Sequence, residues 1–217
     1  MGIRRLVVSA GKLALRAFPE AARHGVAVRW RHRFPVDDLI AAEQTQDPER
    51  LAVLPYCVGR GLDVGCGCAK TTPEAIGVDL IPKGELGRFG SQILRPSAAD
   101  VCASGDQMPM FADASMDYVV ARHNLEHYVD VVKTLREWWR VLKPGAPLVL
   151  VLPDDEALDT ISLDPTHKHA FTRESFRHLL EAIGGWEIER LDICRPHWSF
   201  LCVARKRAAD LVSLPPA

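Results

Sequence analysis

The chain has 217 residues, which is enough for one folded domain and a modest extension. Hydrophobic residues make up 47% of it and charged residues 25%, so we expect a packed core and little disorder away from the ends. No run of about 18 apolar residues occurs, so the sequence predicts no membrane-spanning helix. The six cysteines form no C-x-x-C pair and there is no clear secretory signal, which favours reduced thiols in a cytoplasmic protein.

The net charge of -1 is unevenly distributed along the chain. Residues 1–33 carry eight Lys or Arg and one acid, a net charge of +7, and the remaining 19 basic and 27 acidic residues give -8. A helix is predicted over 3–18, with apolar and basic residues on opposite sides. It would pack on the domain or a partner chain, lie on an anionic membrane surface, or act as a targeting segment, and we favour packing. The acidic remainder argues against a nucleic-acid partner.

A second helix is predicted over 36–55, so that residues 1–56 form an N-terminal helical extension or lid. From Arg60 onward strands alternate with helices, which is typical of a parallel sheet. The predicted strands are 60–64, 75–79, 97–100, 117–122, 146–152, 186–193 and 198–204. We therefore predict an α/β fold with a doubly wound, mostly parallel seven-stranded sheet of Rossmann-like type. Residues 57–207 form this domain and 208–217 a tail.

Two helices in this domain have clear apolar periodicity. The first spans 129–142 and ends at a Lys-Pro-Gly sequence, and the second spans 173–183 and ends at two glycines. The first is predicted to bury Val129, Val132, Leu135, Trp139 and Leu142. The second is predicted to bury Phe176, Leu179, Leu180 and Ile183.

The glycine-rich turn after the first strand is the main functional signal. Gly65 and Gly67 follow a short buried strand, and Asp79 ends the next strand twelve residues after Gly67. Such a turn with an acid on the next strand favours a nucleoside pocket. The nicotinamide fingerprint fails, because Lys70 stands at the third glycine position and the acid arrives too early. The short link also predicts that the first crossover helix is cut down or missing.

At this point the chain resembles class I S-adenosylmethionine-dependent methyltransferases, in particular the small bacterial type 11-like domain. The resemblance extends over about 58–204 and depends on five segments in the family's order. They are 63–67, Asp79, 105–111 with 115–120, 122–127 and 135–150.

The resemblance implies S-adenosyl-L-methionine as cofactor and assigns roles around it. The backbone of Gly65, Cys66 and Gly67 would approach the methionine part, and Asp63 would support that turn or reach the amino group. Asp79 would hold the ribose hydroxyls. The remaining cofactor-binding residues implied by the family are Leu80, Asp100, Asp106, Gln107, Met108, Arg122 and His123.

On the adenine side, the resemblance implies that Asp106 accepts from the amino group, beside the Gln107 backbone and the Met108 side chain. Asp100 competes for that role because it ends a predicted strand, and we favour Asp106.

Three histidines are candidates for catalysis: His123, His167 and His169. His167 and His169 lie in a polar loop after the fifth strand, where the substrate crevice of such sheets is found. An imidazole there can take a proton from an acceptor, with His167 slightly favoured. These side chains could instead only pack the loop. We predict no metal site, although His123, His127, His167 and His169 together offer metal-ligand chemistry.

The segment 123–127 also fits the H-x-x-E-H zinc protease pattern. That chemistry needs both histidines on one helix, whereas this segment follows a predicted strand, so we do not expect a protease. Zinc at Cys66 and Cys68 would require two further ligands.

The predicted function is transfer of a methyl group from S-adenosylmethionine to an O or N acceptor on a small molecule or glycan. The acceptor would lie between the N-terminal helices and the loop at 153–172. The alternative is a methyltransferase-like protein that binds the nucleoside as a partner or scaffold without turnover.

Overall fold

The structure is a computed structural model that describes residues 47–86 and 96–207. The predicted helix at 3–18, the first part of the helix at 36–55 and the tail at 208–217 lie outside the described residues. From Leu51 onward the described residues belong to one compact unit. Among them, no helix has the length and apolar character needed to cross a membrane.

Seven strands form one sheet within the described residues, in the order β3-β2-β1-β4-β5-β7-β6. They are β1 (Gly61–Val64), β2 (Ile76–Asp79), β3 (Val101–Cys102), β4 (Tyr118–Arg122), β5 (Pro147–Pro153), β6 (Trp186–Arg195) and β7 (Ser199–Lys206). The first five pair with one another in parallel, and β7 runs antiparallel to both β5 and β6. The predicted fold class is therefore confirmed for this part of the chain.

The helices are short and few among the described residues. They are α1 (Pro48–Val53), α2 (Val131–Val141), α3 (Thr160–Leu163) and α4 (Arg173–Ile183), with 3-10 turns at Leu54–Tyr56 and Leu125–His127. The link between β1 and β2, residues 65–75, contains no helix, so the predicted loss of the first crossover helix is confirmed. Helix α4 has the predicted bounds, because Thr172 caps its start and Gly184 with φ 71° ends it.

The predicted buried face of α2 is right at Leu135 and Leu142, only partly right at Val132 and Trp139, and wrong at Val129. Asp130 caps the helix through the backbone N–H of Lys133, so Val129 lies before it and is exposed. The side chains that this helix buries are Val131, Thr134, Leu135, Trp138 and Val141. At its end, the Lys206 Nζ donates to the carbonyl oxygens of Trp139 at 2.8 Å and Leu142 at 2.6 Å. A buried lysine from β7 therefore caps α2.

The predicted strand at 97–100 is also wrong, because β3 comprises only Val101–Cys102. The Ser97 hydroxyl donates to the Ile81 carbonyl and accepts from the backbone N–H of Ala99. Such local side-chain bonds compete with a strand ladder. Consequently Asp100 precedes β3 instead of ending it, which removes the basis for its predicted adenine role.

Candidate functional site

The turn after β1 is joined to the end of β2 by backbone and carboxylate bonds. The Gly65 N–H donates to the Val78 carbonyl at 2.8 Å, and the Gly67 N–H donates to Asp79 Oδ2 at 2.8 Å. Asp79 Oδ1 accepts from the Ile81 N–H at 3.1 Å. Each carboxylate oxygen has about two lone-pair sites, so one per oxygen remains for a pair of hydroxyl donors. Asp79 is therefore fixed in place and still able to bind both hydroxyls of a ribose.

Two glycines of this turn have positive φ, 71° at Gly65 and 54° at Gly67, and differ in their surroundings. A Cβ on Gly65 would lie 2.2 Å from Asn124 Nδ2, so the segment after β4 packs directly against the turn. A Cβ on Gly67 would meet no atom of the described residues within 4 Å. The open space is therefore at Gly67, where a ligand can approach the backbone.

Asp63 is buried under the turn, and its carboxylate accepts from the Thr71 N–H. Burial raises the pKa of Asp63, and the nearby Arg122 guanidinium opposes this shift. The Arg122 Nε also donates to Thr71 Oγ1 at 3.2 Å. Cys66 is buried, with its Sγ near Gly77, and burial raises the pKa of its thiol to about 12. The structure thus places Asp63, Cys66 and Arg122 as supports of the turn.

Asp106 lies beyond the carboxyl end of β3, in the loop predicted to contact adenine. Its carboxylate accepts from the Ser104 hydroxyl and from Lys133 Nζ, the latter at 2.8 Å. Although partial burial opposes ionisation, the Lys133 and Ser104 hydrogen bonds lower the pKa of Asp106. Gln107 is exposed and its N–H donates to the Ser104 carbonyl, whereas the Met108 side chain is fully buried in the core.

Three side chains of helix α2 hold this loop through hydrogen bonds that the sequence analysis did not predict. The Trp138 Nε1 donates to the Gly105 carbonyl at 2.9 Å. Glu137 Oε1 accepts from the Met108 N–H at 2.7 Å, and Arg140 Nη2 donates to the Met108 carbonyl at 3.0 Å. The motif at 135–150 gave the helix but no signal for these contacts, because they join residues about thirty positions apart.

In the parallel pairing of β2 and β3, Asp79 lies opposite Cys102, so Asp100 precedes that position by two residues. It binds Lys70 Nζ at 2.9 Å and Lys83 Nζ at 3.3 Å, and the hydrogen bonds that it accepts from Lys70 and from the Gly77 N–H lower its pKa to about 2. Leu80 follows β2 and is half-exposed. The structure therefore leaves Asp106 as the acid beyond the end of β3.

The segment after β4 has an unusual start. His123 has a left-handed φ of 50°, and its N–H donates to the Val151 carbonyl of β5 at 2.9 Å. The chain then enters the 3-10 turn Leu125–His127, which contains the buried Glu126 and the partly buried His127. Because the two histidines of the H-x-x-E-H pattern are not on one α-helix, the arrangement of a zinc protease is absent from this segment.

The loop after α3 is bound to that 3-10 turn. The N–H groups of Lys168 and His169 donate to the Glu126 carbonyl at 2.8 and 3.3 Å. This brings the His167 ring to 4.8 Å from the His127 ring, edge to face, and His167 Nε2 to 3.9 Å from Glu126 Oε1. His123 Nδ1 lies 3.8 Å from the same oxygen. His123 and His167 are therefore brought together, as the predicted site requires, around a glutamate that the sequence analysis did not single out.

His169 is placed differently from the other two predicted catalytic histidines. Its Nε2 donates to the Val129 carbonyl at 3.2 Å, and its ring stacks on Phe171 at 6.0 Å. These contacts hold the loop and leave His169 outside the group around Glu126.

Comparison with known proteins identifies the domain. Residues 62–150 match the family described as "Methyltransferase domain". This part of the chain is similar to class I methyltransferase domains. The predicted resemblance is thus confirmed, and the cofactor of this family is S-adenosylmethionine. Its fit here is supported by the Asp79 oxygens and by the open space at Gly67.

The individual relatives share limited sequence identity with this chain. A demethylmenaquinone methyltransferase of Roseiflexus sp. (strain RS-1) is 35% identical over 107 residues, which are 44% of this chain and 43% of that protein. The chain therefore matches less than half the length of this curated relative. A SAM-dependent methyltransferase from Archaeoglobus fulgidus gives a TM-score of 0.54 at 19% identity, covering 75% of this chain and 94% of that one. One from Methanosarcina mazei gives 0.51 at 22%, covering 73% and 98%. These structures share the fold.

Proposed function

We propose that the protein transfers a methyl group from S-adenosylmethionine to an oxygen or nitrogen acceptor on a small molecule or sugar. The observation that carries the proposal is the contact between the two halves of the site. Asn124 lies against Gly65, and it follows His123 directly. The segment bearing the candidate base is therefore adjacent to the turn that faces the cofactor.

When bound, S-adenosylmethionine supplies an electrophilic methyl carbon, whose bond to sulfur breaks as the electron pair returns to sulfur. The acceptor lone pair forms the new bond to that carbon, and a proton on the acceptor must leave. Asp79 would hold the ribose hydroxyls and Asp106 the adenine amino group, so that the methyl carbon has a fixed position.

His123 is the better placed of the two clustered histidines to take the acceptor's proton. Its side chain is 29% exposed, whereas that of His167 is 7% exposed, so an acceptor arriving from solvent can reach His123. Glu126 is close enough to stabilise the imidazolium that forms. Exposure therefore favours His123, although the loop position had favoured His167.

We also propose a cytoplasmic location, which the six free thiols support. Contact of residues 3–18 with a membrane surface, and a lid formed by residues 1–56, stay predictions.

Calorimetric titration with S-adenosylmethionine and its demethylated product tests the cofactor site. Saturable binding is expected, with a loss of at least about tenfold in Asp79→Ala, which removes both oxygens that fix the turn. Asp192→Ala is the matched control, because this exposed acid lies on β6 at the opposite edge of the sheet from β2. No binding to the wild-type protein would refute the proposal.

Turnover is tested with a panel of hydroxyl- and amine-bearing small molecules and sugars, read by mass spectrometry for one added methyl group. His123→Gln is expected to lower kcat by about 10²–10⁴-fold with an unchanged cofactor Kd. Cofactor binding without any methylated product across the panel would instead favour the scaffold alternative.

A further inference from the structure

Glu126, His127 and His167 form the one group of three clustered metal-ligating residues among residues 47–86 and 96–207. One candidate ligand atom from each lies within 4.8 Å of the other two. Glu126 is buried, and the His167 side chain is 7% exposed. The cluster stands at the carboxyl end of β4, beside the segment that packs on the glycine turn.

The hydrogen bonds of His167 determine which of its nitrogens faces the cluster. Its Nδ1 lies 2.7 Å from the Thr160 carbonyl oxygen. A carbonyl oxygen only accepts, so Nδ1 carries the proton and Nε2 carries a lone pair. That lone pair is on the nitrogen 3.9 Å from Glu126 Oε1.

A longer chain of bonds gives the same result for His127. The Thr166 hydroxyl lies 2.7 Å from Asp164 Oδ1 and 3.0 Å from His127 Nδ1. The carboxylate oxygen accepts, so the Thr166 hydroxyl donates its hydrogen to Asp164 Oδ1. Thr166 therefore accepts from His127 Nδ1–H, and His127 Nε2 also carries a lone pair.

Glu126, His127 and His167 thus each bring one candidate ligand atom to within 4.8 Å of the others, and on each imidazole the nitrogen with the lone pair is Nε2. Each imidazole has its Nδ1–H bonded to a fixed oxygen, as metal-ligating histidines characteristically do.

We propose that Glu126, His127 and His167 bind one divalent first-row transition metal ion. Two imidazoles and a carboxylate are ligands of Zn²⁺, Fe²⁺ and Mn²⁺, and three protein ligands leave positions for water or substrate. Ligand atoms around such an ion lie about 3.0–3.4 Å apart for bonds of about 2.1 Å, so a pair separated by the full 4.8 Å would close by about 1.4–1.8 Å on binding. This proposal replaces the prediction of no metal made from the sequence.

The open positions suggest a role in acceptor binding, which rests on the proposed function. An acceptor hydroxyl bound to the ion would lose its proton more easily, and His123, which lies 3.8 Å from Glu126 Oε1, would receive it. Metal binding itself does not depend on methyl transfer, so the two proposals can fail separately.

The test titrates the metal-free full chain with Co²⁺, followed by calorimetry and by the visible absorption of the bound ion. One Co²⁺ per chain is expected. His127→Gln, His167→Gln and Glu126→Gln should each raise the Kd by at least about 100-fold, and Thr166→Val by about 10-fold through loss of the His127 Nδ1 acceptor. His178→Gln, an exposed histidine on α4, is the matched control and should bind as the wild-type protein does.

Each variant is also titrated with S-adenosylmethionine, which reports whether it is folded. Retained cofactor binding with lost Co²⁺ binding supports the metal site. Absence of saturable Co²⁺ binding below about 1 mM in the wild-type protein would overturn it, even if cofactor binding is intact. An equal loss in His178→Gln would do the same, because the ion would then be bound at surface histidines. Metal binding without cofactor binding would instead refute the proposed function alone.

Discussion

The two positive-φ glycines of the turn after β1 should respond differently to the addition of a methyl group. In Gly67→Ala the new Cβ meets no atom of the described residues within 4 Å, so the expected loss of folding free energy is the left-handed strain alone, about 1–2 kcal/mol. In Gly65→Ala the same strain applies, and the Cβ lies 2.2 Å from Asn124 Nδ2 and 2.8 Å from Asn124 Cβ. Overpacking adds about 1–3 kcal/mol, for a total of about 2–5 kcal/mol.

Cofactor affinity should show the opposite order. The methyl group of Gly67→Ala enters the space through which a ligand approaches the backbone, so the S-adenosylmethionine Kd should rise by about tenfold or more. Urea denaturation measures the first quantity and calorimetry the second. The Asn124→Ala background should recover part of the Gly65→Ala loss, because two of the three closest atoms are then removed. Equal denaturation midpoints for the two glycine variants would refute this reasoning.

Three further predictions concern single side chains. Asp106→Asn should weaken S-adenosylmethionine binding by about tenfold and Asp100→Asn should not, as measured by calorimetry; the reverse result would return the adenine role to Asp100. Because the pKa of Asp100 is about 2 in the fold and 3.8 in the reference state, its ionised form stabilises the protein above about pH 4, and this contribution is lost as the pH falls towards 2. Asp100→Asn should therefore reduce the loss of stability across that window in denaturant titrations, and identical pH profiles would contradict the assignment. Lys206→Met should cost about 1–3 kcal/mol because two α2 carbonyls lose their donor, whereas Lys143→Met, which breaks a half-exposed pair with Asp117, should cost less than about 1 kcal/mol. Equal shifts in urea midpoint would show that the buried lysine does not act as a cap.

The fold was largely predictable because its local signals agree with one another. Helix α4 combines a Thr172 cap, apolar residues at helical spacing and glycines at its end. Helix α2 has two successive tryptophans, and the periodicity placed Trp139 on the buried face. In the structure Trp138 is fully buried and Trp139 only partly.

Only those site residues that lie within recognisable sequence motifs could be predicted. The turn and Asp79 follow from spacing, and the family resemblance pointed to Asp106. The partners that fix the site carry no local signal, because Asn124 meets Gly65 and Thr166 meets His127 across about forty residues or more. The tautomer of His127 depends on Thr166 in the same way.

The helix-free link between β1 and β2 has a consequence for the order of folding. Its eleven residues, 65–75, join two parallel strands, whereas the link between β4 and β5 has 24 residues, 123–146. Closing the shorter loop is favoured by roughly 0.7 kcal/mol of chain entropy. The carboxylates of Asp63 and Asp79 both bond within this stretch, so its contacts are sequence-local. We expect the β1–β2 pair to form early, which means that the cofactor-facing turn is complete before the histidines from the distant loop arrive.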